Sequence, residues 1–224
     1  MRKIKWIMML VGCVWAGVTY AQDYPCSCFD GIGSSRGDSP AMIHRFEDGG
    51  TVIVCGYLEE RRSDDQILIS EFMVFACPLG DALVTYDALQ HCLVRPADGG
   101  LEIIEVVYLP AGEGWTRKEI QVSIQTISTM GGDYVTAQRP FLEDIRPDAR
   151  AAKVFMEEVR AMKGTGHIEN PDELIARLEV MALAGMKEAT DILYDFQNYF
   201  NYEPDGAIAE QLDEAVGLVD WLGK

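Results

Sequence analysis

Cysteine is the residue type in this chain with the most chemistry to offer. Six occur: Cys13, Cys26, Cys28, Cys55, Cys77 and Cys92. They can form a metal clasp, a redox pair or structural disulfides. Cys26 and Cys28 are separated by one residue, a spacing that strains a bridge between them. Each is therefore expected to reach a distant partner. Cys77 and Cys92 flank a turn-bearing segment and can bridge its ends. Cys55 sits mid-strand and can receive Cys26 or Cys28. Past Cys13 the count is odd, so one thiol stays unpaired, and Cys26 or Cys28 is the expected remainder. Zinc is the sharper alternative, with His91, Cys92, Cys26 and Cys28 as four ligands of suitable softness. Zinc sites and thiol redox centres both favour C-x-x-C pairs, however, and the chain has none. Disulfides are the leading reading, and no metal ligand set is assigned.

Other catalytic signals are sparse. The three histidines are His44, His91 and His167. There is no H-E-x-x-H, no phosphate loop and no G-x-G-x-x-G, and neither a catalytic residue nor a cofactor is assigned. The acid pairs Glu59-Glu60 and Asp64-Asp65 read as solvated turns. A carboxylate-dependent hydrolase would need two acids facing each other across a cleft. Asn201, Glu203, Asp205 and Gly206 fall on the first, third, fifth and sixth places of a calcium loop. The twelfth place, which needs a bidentate carboxylate, is Leu212, so a turn followed by a helix is expected instead. Tyr194, Tyr199, Phe200 and Tyr202 cluster near one helix end, where packing is the commoner use. Arg36-Gly37-Asp38 resembles the integrin-binding tripeptide of adhesion ligands, but with Ser39-Pro40 it is also ordinary turn chemistry.

The first residues say where the chain goes. Arg2, Lys3 and Lys5 precede an uncharged apolar run, and Thr19-Tyr20-Ala21 follows with small-residue cleavage chemistry. This is the pattern of a secretory signal peptide over 1–21, cut after Ala21. Leu10-Val11-Gly12-Cys13 also resembles a bacterial lipobox, which would make Cys13 a lipidated N-terminus. The short basic start and the Ala-Gln junction point to a bacterial envelope or secreted protein, periplasmic or extracellular. Removing the signal leaves 16 basic against 36 acidic residues. That balance argues against nucleic acid and permits cationic ligands, basic proteins or divalent ions. No later apolar run reaches the roughly 20 residues a spanning helix needs.

The elements that must position these residues follow from periodicity. After an irregular lead-in over 22–49, strand patterns occupy 51–58, 66–77, 82–94, 101–109 and 118–127. In the last, Ile120, Val122 and Ile124 alternate with Gln121, Ser123 and Gln125, as in a half-buried antiparallel strand. Short turns between the runs predict an antiparallel β domain over 50–130. A connector is expected over 131–148. The period then changes to helical, and 149–224 predicts a bundle of about four helices. Asn170 and Pro171 suit a helix start and Gly185 a helix end. The expected fold is α+β. The expected role is non-catalytic binding of an unknown protein or polymer, with a carboxylate-dependent hydrolase or a Cys/His metal-binding module as alternatives.

Overall fold

A computed structural model describes residues 26–28, 39–78, 80 and 82–223. The expected signal peptide, the cut after Ala21, Cys13 and Arg36-Gly37-Asp38 lie outside the described residues.

The fold is mixed α+β, with an antiparallel sheet followed by five helices among the described residues. The sheet strands are β1 (Met42–Arg45), β2 (Thr51–Ser63), β3 (Gln66–Cys77), β4 (Ala82–Ala97), β5 (Gly100–Leu109), β6 (Lys118–Met130) and β7 (Asp133–Pro140). Their order in the sheet is their order in the chain, a meander. Tight turns make this possible. Asp98-Gly99 joins β4 to β5 and Gly131-Gly132 joins β6 to β7. Both glycines of the second turn have positive φ, +64° and +93°, the backbone that a two-residue hairpin loop with native twist requires.

The sheet is strongly curled. Strands β2 and β7 are five steps apart, about 24 Å if flat at ordinary strand spacing. Yet the Thr51 N–H donates to Tyr134 Oη at 3.0 Å, and that hydroxyl donates to the Thr51 carbonyl at 2.9 Å. At the other end of β2, the Arg62 guanidinium donates to both carboxylate oxygens of Glu119 on β6, at 2.9 and 2.6 Å. The face enclosed by the curl is filled by Val52, Val54, Ile67, Ile69, Phe72, Val74, Val94, Ile103 and Ile127, all 1% exposed or less. Register shifts in β2, β3 and β5 accompany the bend, as bulges increase local twist.

Two strands depart from the sequence reading. The lead-in contains β1, and the expected connector contains β7. Both lie on sheet edges, and β7 is exposed over nearly its whole length, so neither carries the apolar alternation of a buried strand. The segment over 82–94, expected as a strand, lies within β4.

The helices are α1 (Ala149–Ala161), α2 (Pro171–Leu183), α3 (Lys187–Tyr194), α4 (Phe196–Phe200) and α5 (Gly206–Leu222). The α1 start is capped by Asp148, whose carboxylate accepts from the Ala151 N–H at 2.7 Å. Asn170 stands at the N-cap of α2, but its side chain makes no capping bond. Gly185 ends α2 at φ +86°. The Met186 N–H reaches the Met181 carbonyl and the Gly185 N–H reaches that of Ala182, the double bond of a Schellman stop. Asp195 separates α3 from α4. Residues 201–205 form the expected turn, and α5 begins at Gly206.

Helix α2 buries eight of its thirteen residues, and Glu179 is the one charged residue among them. Ile175, Leu178 and Met181 pack with α1, α3 and α4 around Phe155, Ile192, Phe196 and Phe200. Val180 turns instead to the sheet, against Leu109, Ile120 and Val122. Partly buried Leu218 and Leu222 of α5 join that second cluster.

The curl makes a direct prediction. Tyr134→Phe keeps the ring against Phe46 but removes the hydroxyl bonded to both backbone groups of Thr51. Urea unfolding should show a loss of about 1–3 kcal/mol. A change below about 0.5 kcal/mol, the ordinary scatter of neutral surface substitutions, would mean that the curl is held elsewhere.

Candidate functional site

The cysteines resolve into two disulfides, and the pairing differs from the bridge expected between Cys77 and Cys92. Cys26 bonds to Cys77 and Cys28 to Cys55, with Cα separations of 5.8 and 5.7 Å. Both bridges staple the segment at 26–28 to the outer face of β2 and β3, over Ile53 and Phe75. Among the described residues the unpaired cysteine is Cys92, not Cys26 or Cys28. Its place explains this: it lies mid-strand between Ile69 and Glu105 and is fully buried. Burial, with the charges of Glu105 and Glu59 nearby, pushes its thiol well above the ordinary range.

The zinc alternative falls with this pairing, since Cys26 and Cys28 are consumed. His91 Nδ1 instead meets Glu59 at 2.8 Å. Among the described residues no three His, Cys, Asp or Glu side chains converge closely enough to hold a metal ion. Glu60 pairs with Arg62, and Asp65 accepts from the Ser63 hydroxyl. Of the aromatic cluster, Phe200 is core, Tyr199 and Tyr202 pack against it, and exposed Tyr194 bonds Asp220.

The site with unexplained chemistry lies elsewhere, where the helices meet β5. A cleft of about 530 Å³ opens there. Strand β5 contributes Glu105 and Tyr108, and the stretch before β6 contributes Arg117. Helix α2 presents Ala176 and Glu179, one turn apart, and α5 presents Gln211, Glu214, Leu218 and Trp221 along one stripe. Three carboxylates thus face one basic side chain among the described lining residues.

Glu179 is the anomaly. It is 8% exposed, yet no hydrogen bond or ion pair engages its carboxylate among the described residues. No described polar side-chain atom that is sealed from solvent lacks a partner, so the accessibility Glu179 keeps is at the cleft it lines. Burial, then the neighbouring charge of Glu214, pushes its pKa up to about 7. Glu105 is also raised, chiefly by burial, against the opposing hydrogen bond from Gln90 and with a further push from Asp87. Burying a carboxylate without a partner is costly, and here the cost is not offset inside the protein.

Gly217 also lines the cleft, in the interior of α5. A Cβ added there would meet nothing within 4 Å. Mid-helix glycine costs about 1 kcal/mol relative to alanine, so packing does not demand it. It leaves the cleft open.

Sequence reasoning assigned no role to Glu105, Glu179 or Glu214. One signal was available: Glu179 is the lone acid within "LIARLEVMALAG", where the helical stripe calls for an apolar residue.

Two outcomes follow. In protein lacking residues 1–21, a thiol reagent should modify one cysteine, Cys92, and only after denaturation; intact mass before and after reduction reads this. Glu179 sets a pH slope. Its folded pKa lies above the ordinary glutamate value of 4.5, so the unfolded chain gives up the proton first as pH rises. Stability is therefore lost between about pH 4.5 and 7 and stays lost above that, by ~3 kcal/mol at most. Glu179→Gln should be more stable than wild type at pH 8 by up to this amount and nearly equal at pH 4.5. Equal melting at both values would show that the carboxylate is neutralised within the fold. No family model matches this chain, no curated protein matches its sequence, and no solved structure matches its fold.

Proposed function

We propose that this is an exported, non-catalytic binding protein, bacterial and acting in the envelope or outside the cell, and that the cleft between β5, α2 and α5 receives its partner. The observation that carries the reading is Glu179, buried, unpaired and facing the cleft. Natural folds tolerate such local violations chiefly at functional sites. The two disulfides support export, because such bonds persist in oxidising compartments. Among the described residues no helix is long and apolar enough to cross a membrane.

A carboxylate-dependent hydrolase is the second reading, and one observation favours it. Glu179, with a raised pKa, stands near Glu214 in one cleft. Such a pair separates a proton donor from an ionised partner.

One variant addresses the first reading with little risk to the fold. Gly217→Leu projects a side chain into the open cleft and should raise helix stability by roughly 0.5–1 kcal/mol. The wild type should retain a component of its own culture's envelope or medium fraction that the variant does not. Equal retention by both would overturn the cleft reading. Turnover of chromogenic glycosides, esters or peptides by wild type, lost in both Glu179→Gln and Glu214→Gln, would replace binding by hydrolysis.

A further inference from the structure

We infer that the cleft takes an organic cation, an ammonium or guanidinium head on an aliphatic stem, as lysine or arginine of a partner polypeptide would present. The inference rests on the reading that the cleft is the binding site, and it names the chemistry of the occupant.

Three observations converge on a positive group. The lining holds Glu105, Glu179 and Glu214 against Arg117 alone among the described residues. Arg117 is exposed and forms no ion pair with a described residue, so it leaves Glu179 uncompensated. Glu179 is nine-tenths buried and has no partner of its own. A buried charge without a partner invites one from outside, since an opposite charge stabilises its ionised form.

The remaining features shape that cation. A bare metal ion is disfavoured, because no three ligating side chains converge among the described residues. The cleft, about 530 Å³, falls within the range of organic ligand pockets. Its walls include Trp221 and Tyr108 as well as Val107 and Leu218. Aromatic faces attract ammonium and guanidinium heads, and apolar walls suit the methylene stems that such heads carry. The excess of 36 acidic over 19 basic residues in the whole chain steers basic partners toward it.

The occupancy should depend on pH. Glu179 shares the cleft with Glu214 from α5, Glu105 and Tyr108 from β5, and Arg117 before β6, and of these charges that of Glu214 acts on it. Its pKa is pushed up to about 7 in the empty cleft, so a cation must displace a proton below that value. Affinity should fall by up to about tenfold per pH unit below pH 7, where one proton is exchanged per cation.

The test uses titration calorimetry on the oxidised protein lacking residues 1–21, with four probes. These are a ten-residue peptide carrying two lysines, the same peptide with norleucine in their place, cadaverine, and calcium chloride. The lysine peptide should bind at least about tenfold tighter than the norleucine peptide, the scale of one charge-assisted contact. That advantage should vanish in Glu179→Gln and in Gly217→Leu, and should shrink from pH 8 to pH 6. Cadaverine binding as tightly as the peptide would support the cation and assign it to a free amine rather than a polypeptide. Equal binding of the two peptides, or a lysine advantage unchanged in Glu179→Gln, would overturn the inference. So would a calcium response lost in Glu179→Gln, which would assign the cleft to a metal. If Gly217→Leu abolishes retention of the natural component while the lysine probe fails, the cleft reading stands and the cation falls. If Gly217→Leu changes neither, both fall.

Discussion

The closure of the sheet across Tyr134 and Thr51 is the constraint on which the rest of the molecule depends. One phenol hydroxyl satisfies both backbone groups of a single residue on a strand five steps away. The contact spans the wrapped meander, and the wrap decides what each face can do. The enclosed face becomes an apolar core. The opposite face must be covered, and two devices cover it: the disulfide-bonded segment over β2 and β3, and the helices over β5 and β6. The acidic cleft lies on a border between these layers, where α2 and α5 meet β5.

Two local rules are broken side by side at that border. A helix that buries eight of its thirteen residues places a carboxylate on its cleft face, and the neighbouring helix places a glycine in its interior. Neither choice serves folding: the first leaves a charge without compensation, and the second gives up helix propensity without a steric reason. Their coincidence in one cleft is what separates this site from the other polar clusters. The His91–Glu59 and Arg62–Glu119 contacts are internally satisfied and need no visitor.

Much of the architecture was legible in the sequence, and the losses have physical causes. Buried strands announced themselves by alternation, as in Ile120, Val122 and Ile124, and the end of α2 by Gly185. The edge strands β1 and β7 were silent because one-sided pairing and exposure leave side chains unconstrained. Cys92 was misread as a bridge partner because chain separation is a poor guide to which face of a strand a thiol occupies. The cleft was out of reach for a different reason. Its carboxylates come from β5, α2 and α5, and only the packing of α2 and α5 against the end of β5 brings them together. What remained visible in one dimension was a single acid in an apolar stripe.

The paired disulfides have a mechanical consequence. Whatever chain precedes residue 26, its covalent path into the fold divides at once, through Cys28 into β2 and through Cys26 into β3. A pull from that side is shared between two adjacent strands. It need not travel through β5, α2 or α5. The N-terminal approach can therefore serve as a leash, along which the protein is held, while the cleft stays at rest.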